Sequence, residues 1–356
     1  MSDRRALGNL ANCLRGEPER ACDWTEVLRL ANDHLLTPAL CDALDAAVLP
    51  ADVRDYLATL HRLNGERNRA LRRQAIELIA GLNRQHITPA LLKGGLCLFD
   101  GPYEDPAARM MRDLDILVPR VTRDEAIDVL HAHGYRLAQG YGADHHAFGD
   151  FARPGDAGSV DLHTELVDPA HLLPAAEVWQ RGTVRTSDGI RYVAPSGTDR
   201  VLHNLLHAQL HHLGNFYRGT LQVQQVYELA GLARHFGSAI DWLFIEQRLR
   251  THRLTAVLES HLLAAHRLFG LAWPLPQPAG RAARLHYRRC ELQFGSRLLD
   301  WFGVPWGNLR GTFAWHRMRA LYGDAGGPWE WRARHLSQYF AKKGVAAGFG
   351  RLLRIR

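Results

Sequence analysis

Lysine is nearly missing from this chain. Of 44 basic side chains only Lys93, Lys342 and Lys343 are lysines, and the other 41 are arginines. Lys93 is therefore the sole lysine in the first 341 residues. Where arginine is the default cation, a lone lysine points to a site needing a compact point charge rather than a planar fork. Long apolar runs are also missing. None approaches the roughly 20 residues that a membrane-spanning helix requires, so no span is expected. The opening stretch MSDRRALGNLANCLRGEPER has no apolar h-region, so no secretory leader is expected either.

Paired cysteines are the next absence. Cys13, Cys22, Cys41, Cys97 and Cys290 show no CxxC spacing, which excludes a zinc ribbon or a dithiol redox motif. An odd, scattered set reads as reduced thiols in a cytoplasmic protein. Acid is absent after Glu330, where seven bases follow: Arg332, Arg334, Lys342, Lys343, Arg351, Arg354 and Arg356. Removing these seven from 44 leaves 37 bases against 37 acids, so the net charge of +7 belongs to the tail and the body is neutral. A neutral body lacks the continuous basic track that a polynucleotide needs, so nucleic acid is not the expected partner. The tail itself can dock an anionic partner, or be a plain solvated helix. Internal repeats and low-complexity segments are absent.

What is present divides into three regions. Residues 1–85 read as helices, among them the long amphipathic pattern VRDYLATLHRLNGERNRALRRQAIELIAGLNRQ. Residues 86–196 change texture. ITPALLKGGLCLF predicts a strand, a tight glycine turn and a helix, and LDILVP predicts a strand closed by Pro119. TRDEAIDVLHAHGY predicts a helix with Thr122 as N-cap, Glu125 in a capping box and Gly134 as the stop. HHAFGDFARP, SVDLHTEL and GIRYVAP predict three more strands. Residues 197–356 return to helices, starting at a Ser196 or Thr198 cap and ending in the basic tail. The fold class expected is α+β: a small mixed sheet with helices, flanked by two helical regions.

The chemistry centres on ARMMRDLDILVPR, residues 108–120. Residues two apart on a strand share a face, so Asp113 and Asp115 stand side by side while Leu114 points into the core. Two adjacent carboxylates both ionise comfortably only around a cation, and a hard ion such as Mg²⁺ takes oxygen ligands. Asp161, in VDLH, offers a third carboxylate from another strand of the same sheet. Three carboxylates on two neighbouring strands can hold two Mg²⁺ ions for in-line displacement at phosphorus. Upstream, the Lys93-Gly94-Gly95 turn offers backbone N–H groups and an ammonium for phosphate, and Arg109 and Arg112 flank the pair. His145, His146 and His163 are candidates for the substrate side. His203, His207 and His211 form a stripe on one helix face. It can hold metal through an i, i+4 pair, although packing or substrate contact explains it as well.

The stretch from LLKGGLCLF through RDLDILVP to HHAFGDF and VDLHTEL resembles the nucleotidyltransferase-fold proteins of the DNA polymerase β superfamily. More narrowly, it is similar to a bacterial nucleotidyltransferase-like family with an LKG…R…DxD…DLH pattern. The resemblance covers about residues 85–230. It implies a minimal nucleotidyltransferase core with Asp113, Asp115 and Asp161 as the catalytic and metal-binding triad. It further implies Asp161 as the base or base-orienter, and Lys93, Gly94, Gly95, Arg109 and Arg112 at the nucleotide. The implied cofactor is Mg²⁺ (or Mn²⁺), and the implied substrate is an NTP, ATP first. The nucleotidyl group would pass to a hydroxyl of a small molecule, peptide or protein. Family members in peptide natural-product clusters point to a modified peptide. One departure is plain: the superfamily's turn usually carries Gly-Ser, whereas this turn has no hydroxyl. The alternative expectation is a non-catalytic nucleotide- or partner-binding module of the same fold, antitoxin-like or regulatory.

Overall fold

A computed structural model describes residues 3–142, 145–211, 215–323 and 327–343. Four helices open the chain: α1 (Asp3–Leu14), α2 (Trp24–Asp33), α3 (Thr37–Ala43) and the long α4 (Ala51–Arg84). The middle alternates: β1 (Ala90–Leu91), α5 (Lys93–Cys97), β2 (Asp113–Leu117), α6 (Arg123–Ala132), β3 (Arg136–Gly140), β4 (Ala147–Ala152), β5 (Ser159–His163), α7 (Ala175–Arg181), β6 (Thr183–Ser187) and β7 (Ile190–Ala194). Helices complete the described chain: α8 (Gly197–Leu210), α9 (Asn215–Arg218), α10 (Val223–Phe236), α11 (Trp242–Thr251), α12 (Thr255–Phe269), α13 (Arg281–Phe294), α14 (Arg297–Thr312), α15 (Trp315–Tyr322) and α16 (Pro328–Lys343). The class is α+β, as expected. Among the described residues no helix is long and apolar enough to cross a membrane, and all five cysteines are free thiols.

The seven strands form one mixed sheet in the order β3-β4-β5-β2-β1-β7-β6. β2 lies in its middle, parallel to β5 and antiparallel to β1. Side-chain alternation on β2 sorts two cores. Leu114 and Ile116 join Leu71, Leu78 and Ile79 of α4 and Val129 of α6 on one face. Leu117 belongs to a second cluster with α1, α8, α10 and α12 on the other. Each fully buried aliphatic side chain contributes about 1.5–3 kcal/mol. Together they fix β2's register, because a slip of one residue would send the aspartates into the α4 face.

Helix starts follow local chemistry. Ser196 accepts a hydrogen bond from the Asp199 N–H at 3.1 Å and caps α8, while Asp241 does the same for α11 through Phe244 at 2.8 Å. Thr122 stands at the N-cap of α6 but makes no side-chain cap. Its hydroxyl donates back to the Pro119 carbonyl at 3.1 Å, because a 3₁₀ turn over Arg120–Thr122 precedes the helix. Gly134 takes φ +85° and ends that helix as expected.

β3, α7 and β6 were not anticipated. β3 and β6 are the two sheet edges. All five β3 residues are exposed, so no inside–outside alternation marks that strand. β6 did leave a signal. Asp188-Gly189, with φ of +49° and +75°, is the two-residue turn that joins it to β7. In the basic tail, Arg332 and Arg334 are exposed on α16. Arg351, Arg354 and Arg356 lie outside the described residues.

Buried amides of α4 hold the loop that feeds β2. Asn64 donates to the carbonyls of Ala107 at 2.6 Å and Arg109 at 3.0 Å. Asn68 donates to those of Pro106 at 2.7 Å and Arg109 at 2.9 Å, and Arg67 reaches Met111 O at 3.2 Å. Buried backbone carbonyls left unsatisfied are costly, so these side chains set where the loop delivers Asp113.

Candidate active site

The face of β2 opposite α4 opens into a cleft of about 840 Å³, walled on the far side by α8, α10 and Arg317. Asp113 and Asp115 project into it from β2 and Asp161 from β5. Asp115 and Asp161 are register partners across the parallel pair. Asp150 of β4 is in turn the register partner of Asp161 and lines the same cleft, so three adjacent strands present a row of carboxylates. Sequence reasoning missed Asp150. Its alternation in HAFGDF was legible, but its register was not, because β4 is irregular between Ala147 and Gly149.

Asp115 is the most strongly held of the four. Lys93 Nζ donates to its Oδ1 at 2.6 Å, and His163 Nε2 lies 3.0 Å from the same oxygen. His163 Nε2 is also 3.1 Å from Asp161 Oδ2, so the fully buried ring bridges two carboxylates. Burial alone would raise the Asp115 pKa, but Lys93 and the His163 hydrogen bond hold it well below the usual carboxylate range. Burial likewise opposes a charge on His163, yet its bonds to Asp115 and Asp161 push its pKa up to about 9. Asp113 lacks such support: burial, then the neighbouring Asp115 charge, raise it to about 6.

The residues fit a hard divalent cation. Ligand atoms of Asp115, Asp161 and His163 lie within 4.8 Å of one another. Asp161 Oδ1 is buried without a hydrogen-bond partner, an arrangement that an oxygen-seeking ion would satisfy. Asp113 stands outside that tight group, on the same face of β2.

The other expected residues divide. Lys93 adopts φ +43°, rare for lysine, at the turn from β1 into α5, and its ammonium is taken by Asp115. Gly94 is needed for room, since a Cβ there would run into the Arg109 guanidinium. Gly95 lies on the Asp115 backbone, where a Cβ would sit 3.7 Å from the carbonyl oxygen. Arg109 lines the cleft, but its Nη2 donates to Glu228 Oε2 of α10 at 2.9 Å, and both partners are about 7% exposed. Arg112 is exposed at the cleft mouth.

The histidines converge. His145 stacks on Tyr141 with ring centroids 4.4 Å apart, and His146 lies 5.2 Å from His163 by the same measure. The α8 stripe runs alongside. His203 is buried, and burial, with Lys93 adding to it, lowers its pKa to about 3. His207 and His211 line the cleft. Asp168 and Arg317 also reach it; neither was singled out from the sequence, because each lies far from the carboxylate motif along the chain.

Against known proteins, the chain matches the family model described as an uncharacterised nucleotidyltransferase over residues 20–270. No curated protein and no solved structure matches it.

Proposed function

We propose a function from one premise: the chain belongs to the uncharacterised nucleotidyltransferase family. Its cleft transfers a nucleotidyl group from an NTP, with ATP the first choice, to a hydroxyl of a small molecule, peptide or protein. The observation that carries this reading is the register-matched carboxylate set, with an unpartnered Asp161 Oδ1, inside a cleft of nucleotide size.

Asp113, Asp115 and Asp161 would hold Mg²⁺ or Mn²⁺. Such an ion would neutralise phosphate charge and polarise the phosphorus under attack. Asp115 is locked by Lys93 and His163 and serves as the fixed reference for the site. Asp161 accepts the proton of the acceptor hydroxyl as its oxygen bonds to the α-phosphorus. The bond from that phosphorus to the bridging oxygen breaks, and pyrophosphate leaves. Arg112, exposed at the mouth, offers its guanidinium to the phosphates. Gln224 and Gln225 of α10 face the acceptor side with neutral donors and acceptors.

Incubating the full chain with each labelled NTP, Mg²⁺ and a cell extract should label one acceptor and release pyrophosphate in equal amount. The second reading, a non-catalytic nucleotide- or partner-binding module, draws on the same Lys93 and His163 contacts, which already neutralise Asp115. Nucleotide binding without pyrophosphate in any extract would establish that reading instead.

A further inference from the structure

One cluster at the cleft wall has no part in that chemistry. His145 and His146 lead into β4, and Asp168 follows β5. Ligand atoms of the three lie within 4.8 Å of one another. His146 Nδ1 is 2.7 Å from Asp168 Oδ2, and the His145 and His146 ring centroids are 4.1 Å apart. A third ring comes from the far wall: His211, at the end of α8, lies with its centroid 4.1 Å from that of His146. Three imidazoles and one carboxylate thus meet from three separate segments of the chain.

This donor set differs in kind from the carboxylate row. Neutral imidazole nitrogen suits borderline ions such as Zn²⁺, Co²⁺ and Ni²⁺, whereas Mg²⁺ prefers oxygen alone. Tetrahedral ligands at about 2.0 Å from zinc stand roughly 3.3 Å apart. The ligand atoms of His145, His146 and Asp168, within 4.8 Å of one another, stand near that spacing. Arg120 and Arg317 line a pocket together with His145, His146 and Asp168, and they are local positive charges that an incoming cation must overcome.

We propose that His145, His146 and Asp168, with His211 completing a tetrahedral set, bind one zinc-class divalent cation at a centre separate from Asp113, Asp115 and Asp161. The ion clasps the lead-in to β4, the segment after β5 and the end of α8. It thereby fixes one wall of the cleft. This holds whether or not the carboxylates transfer nucleotides.

The test uses the full, untagged chain, stripped with EDTA and desalted. Titration with ZnCl₂ should give one tightly bound ion per chain, and Co²⁺ should give the visible absorption of a tetrahedral site. His145→Asn/His146→Asn and, separately, Asp168→Asn should each lose the cobalt spectrum or weaken zinc binding at least tenfold. Asp113→Asn/Asp161→Asn should keep both signals. Melting curves in EDTA identify any variant that fails to fold, and Asp168→Asn, which keeps both rings, supplies the decision if the histidine variant does. Absence of tight zinc in the parent, or equal zinc binding by the Asp168 variant, overturns the proposal. Loss of zinc from the Asp113/Asp161 variant alone also overturns it, by placing the ion on the carboxylates.

Discussion

Replacing Lys93 by methionine removes a charge that the cleft holds against Asp115 while keeping the volume of the stem. The pair is short, at 2.6 Å, with Asp115 3% and Lys93 21% exposed. Taking one partner from a buried ion pair costs about 3–5 kcal/mol. His163 remains on the same oxygen at 3.0 Å, so the lower end, about 3 kcal/mol, applies. A chain of 356 residues has an unfolding entropy of about 0.75 kcal/mol/K. Lys93→Met should therefore melt about 4 °C below the parent in EDTA. Saturating Mg²⁺ should act in the opposite direction, and more strongly on the variant, because the ammonium occupies the oxygen that a cation needs. Each tenfold gain in metal affinity contributes about 1.4 kcal/mol, or about 2 °C on this scale. Differential scanning fluorimetry across a Mg²⁺ series reads both effects. Equal midpoints in EDTA would show that the ion pair contributes no stability. Equal Mg²⁺ responses would show that Lys93 and the cation do not share Asp115.

Three further outcomes are expected. Asp161→Asn should keep NTP affinity within a few-fold and lower turnover by roughly 10²-fold or more, the scale of a lost general base; single-turnover kinetics with parent-like rates would remove Asp161 from the chemistry. Arg109→Met should destabilise by about 3–5 kcal/mol, because it leaves Glu228 buried and alone; Arg109→Met/Glu228→Leu should recover most of that in chemical denaturation, and a double variant no better than the single would refute the pairing. Burial lowers the pKa of His261 to about 3, where it meets Gln209 at 2.8 Å and Asn204 at 3.3 Å. A depressed imidazole contributes stability that is complete above its unfolded value near 6.5 and is lost as pH falls toward 3, at about 1.4 kcal/mol per unit. His261→Gln should show a shallower loss of denaturation midpoint between pH 6.5 and 4.5, and identical slopes would contradict it.

The sequence exposed those parts of the site that a single strand encodes. Asp113 and Asp115 share a face because strand side chains alternate, and Leu114 and Ile116 join the α4 core for the same reason. Asp161 was placed by its VDLH alternation and by family resemblance, and the register with Asp115 agrees. Partnerships between distant segments left no such trace. Arg109 meets Glu228 across 119 positions, and the α8 histidines reach the sheet only because α8 folds over it. Lys93 stood out by composition, but its neighbour is a carboxylate of the site itself. The edges β3 and β6 escaped because a strand with one hydrogen-bonded neighbour and an exposed surface needs no apolar alternation.

Residues 86–196 read along the chain as a portable unit. The α4 amides make them less so. Asn64, Asn68 and Arg67 supply the hydrogen bonds that fix the loop carrying Arg109 to Met111, and Gln74 holds Gly158 O, beside β5, at 2.7 Å. Both approaches to the carboxylate pair are thus anchored by one helix that precedes the sheet. A fragment beginning at residue 86 would keep every one of these aspartates and lose the scaffold that aims them. Transplanting this carboxylate arrangement into another protein would require α4 to travel with it. Adding the α4 segment back in trans should order the loop and so slow hydrogen exchange at the Ala107, Ala108 and Arg109 amides, which bond within it, and a fragment already protected there without it would show that the sheet aims its own aspartates.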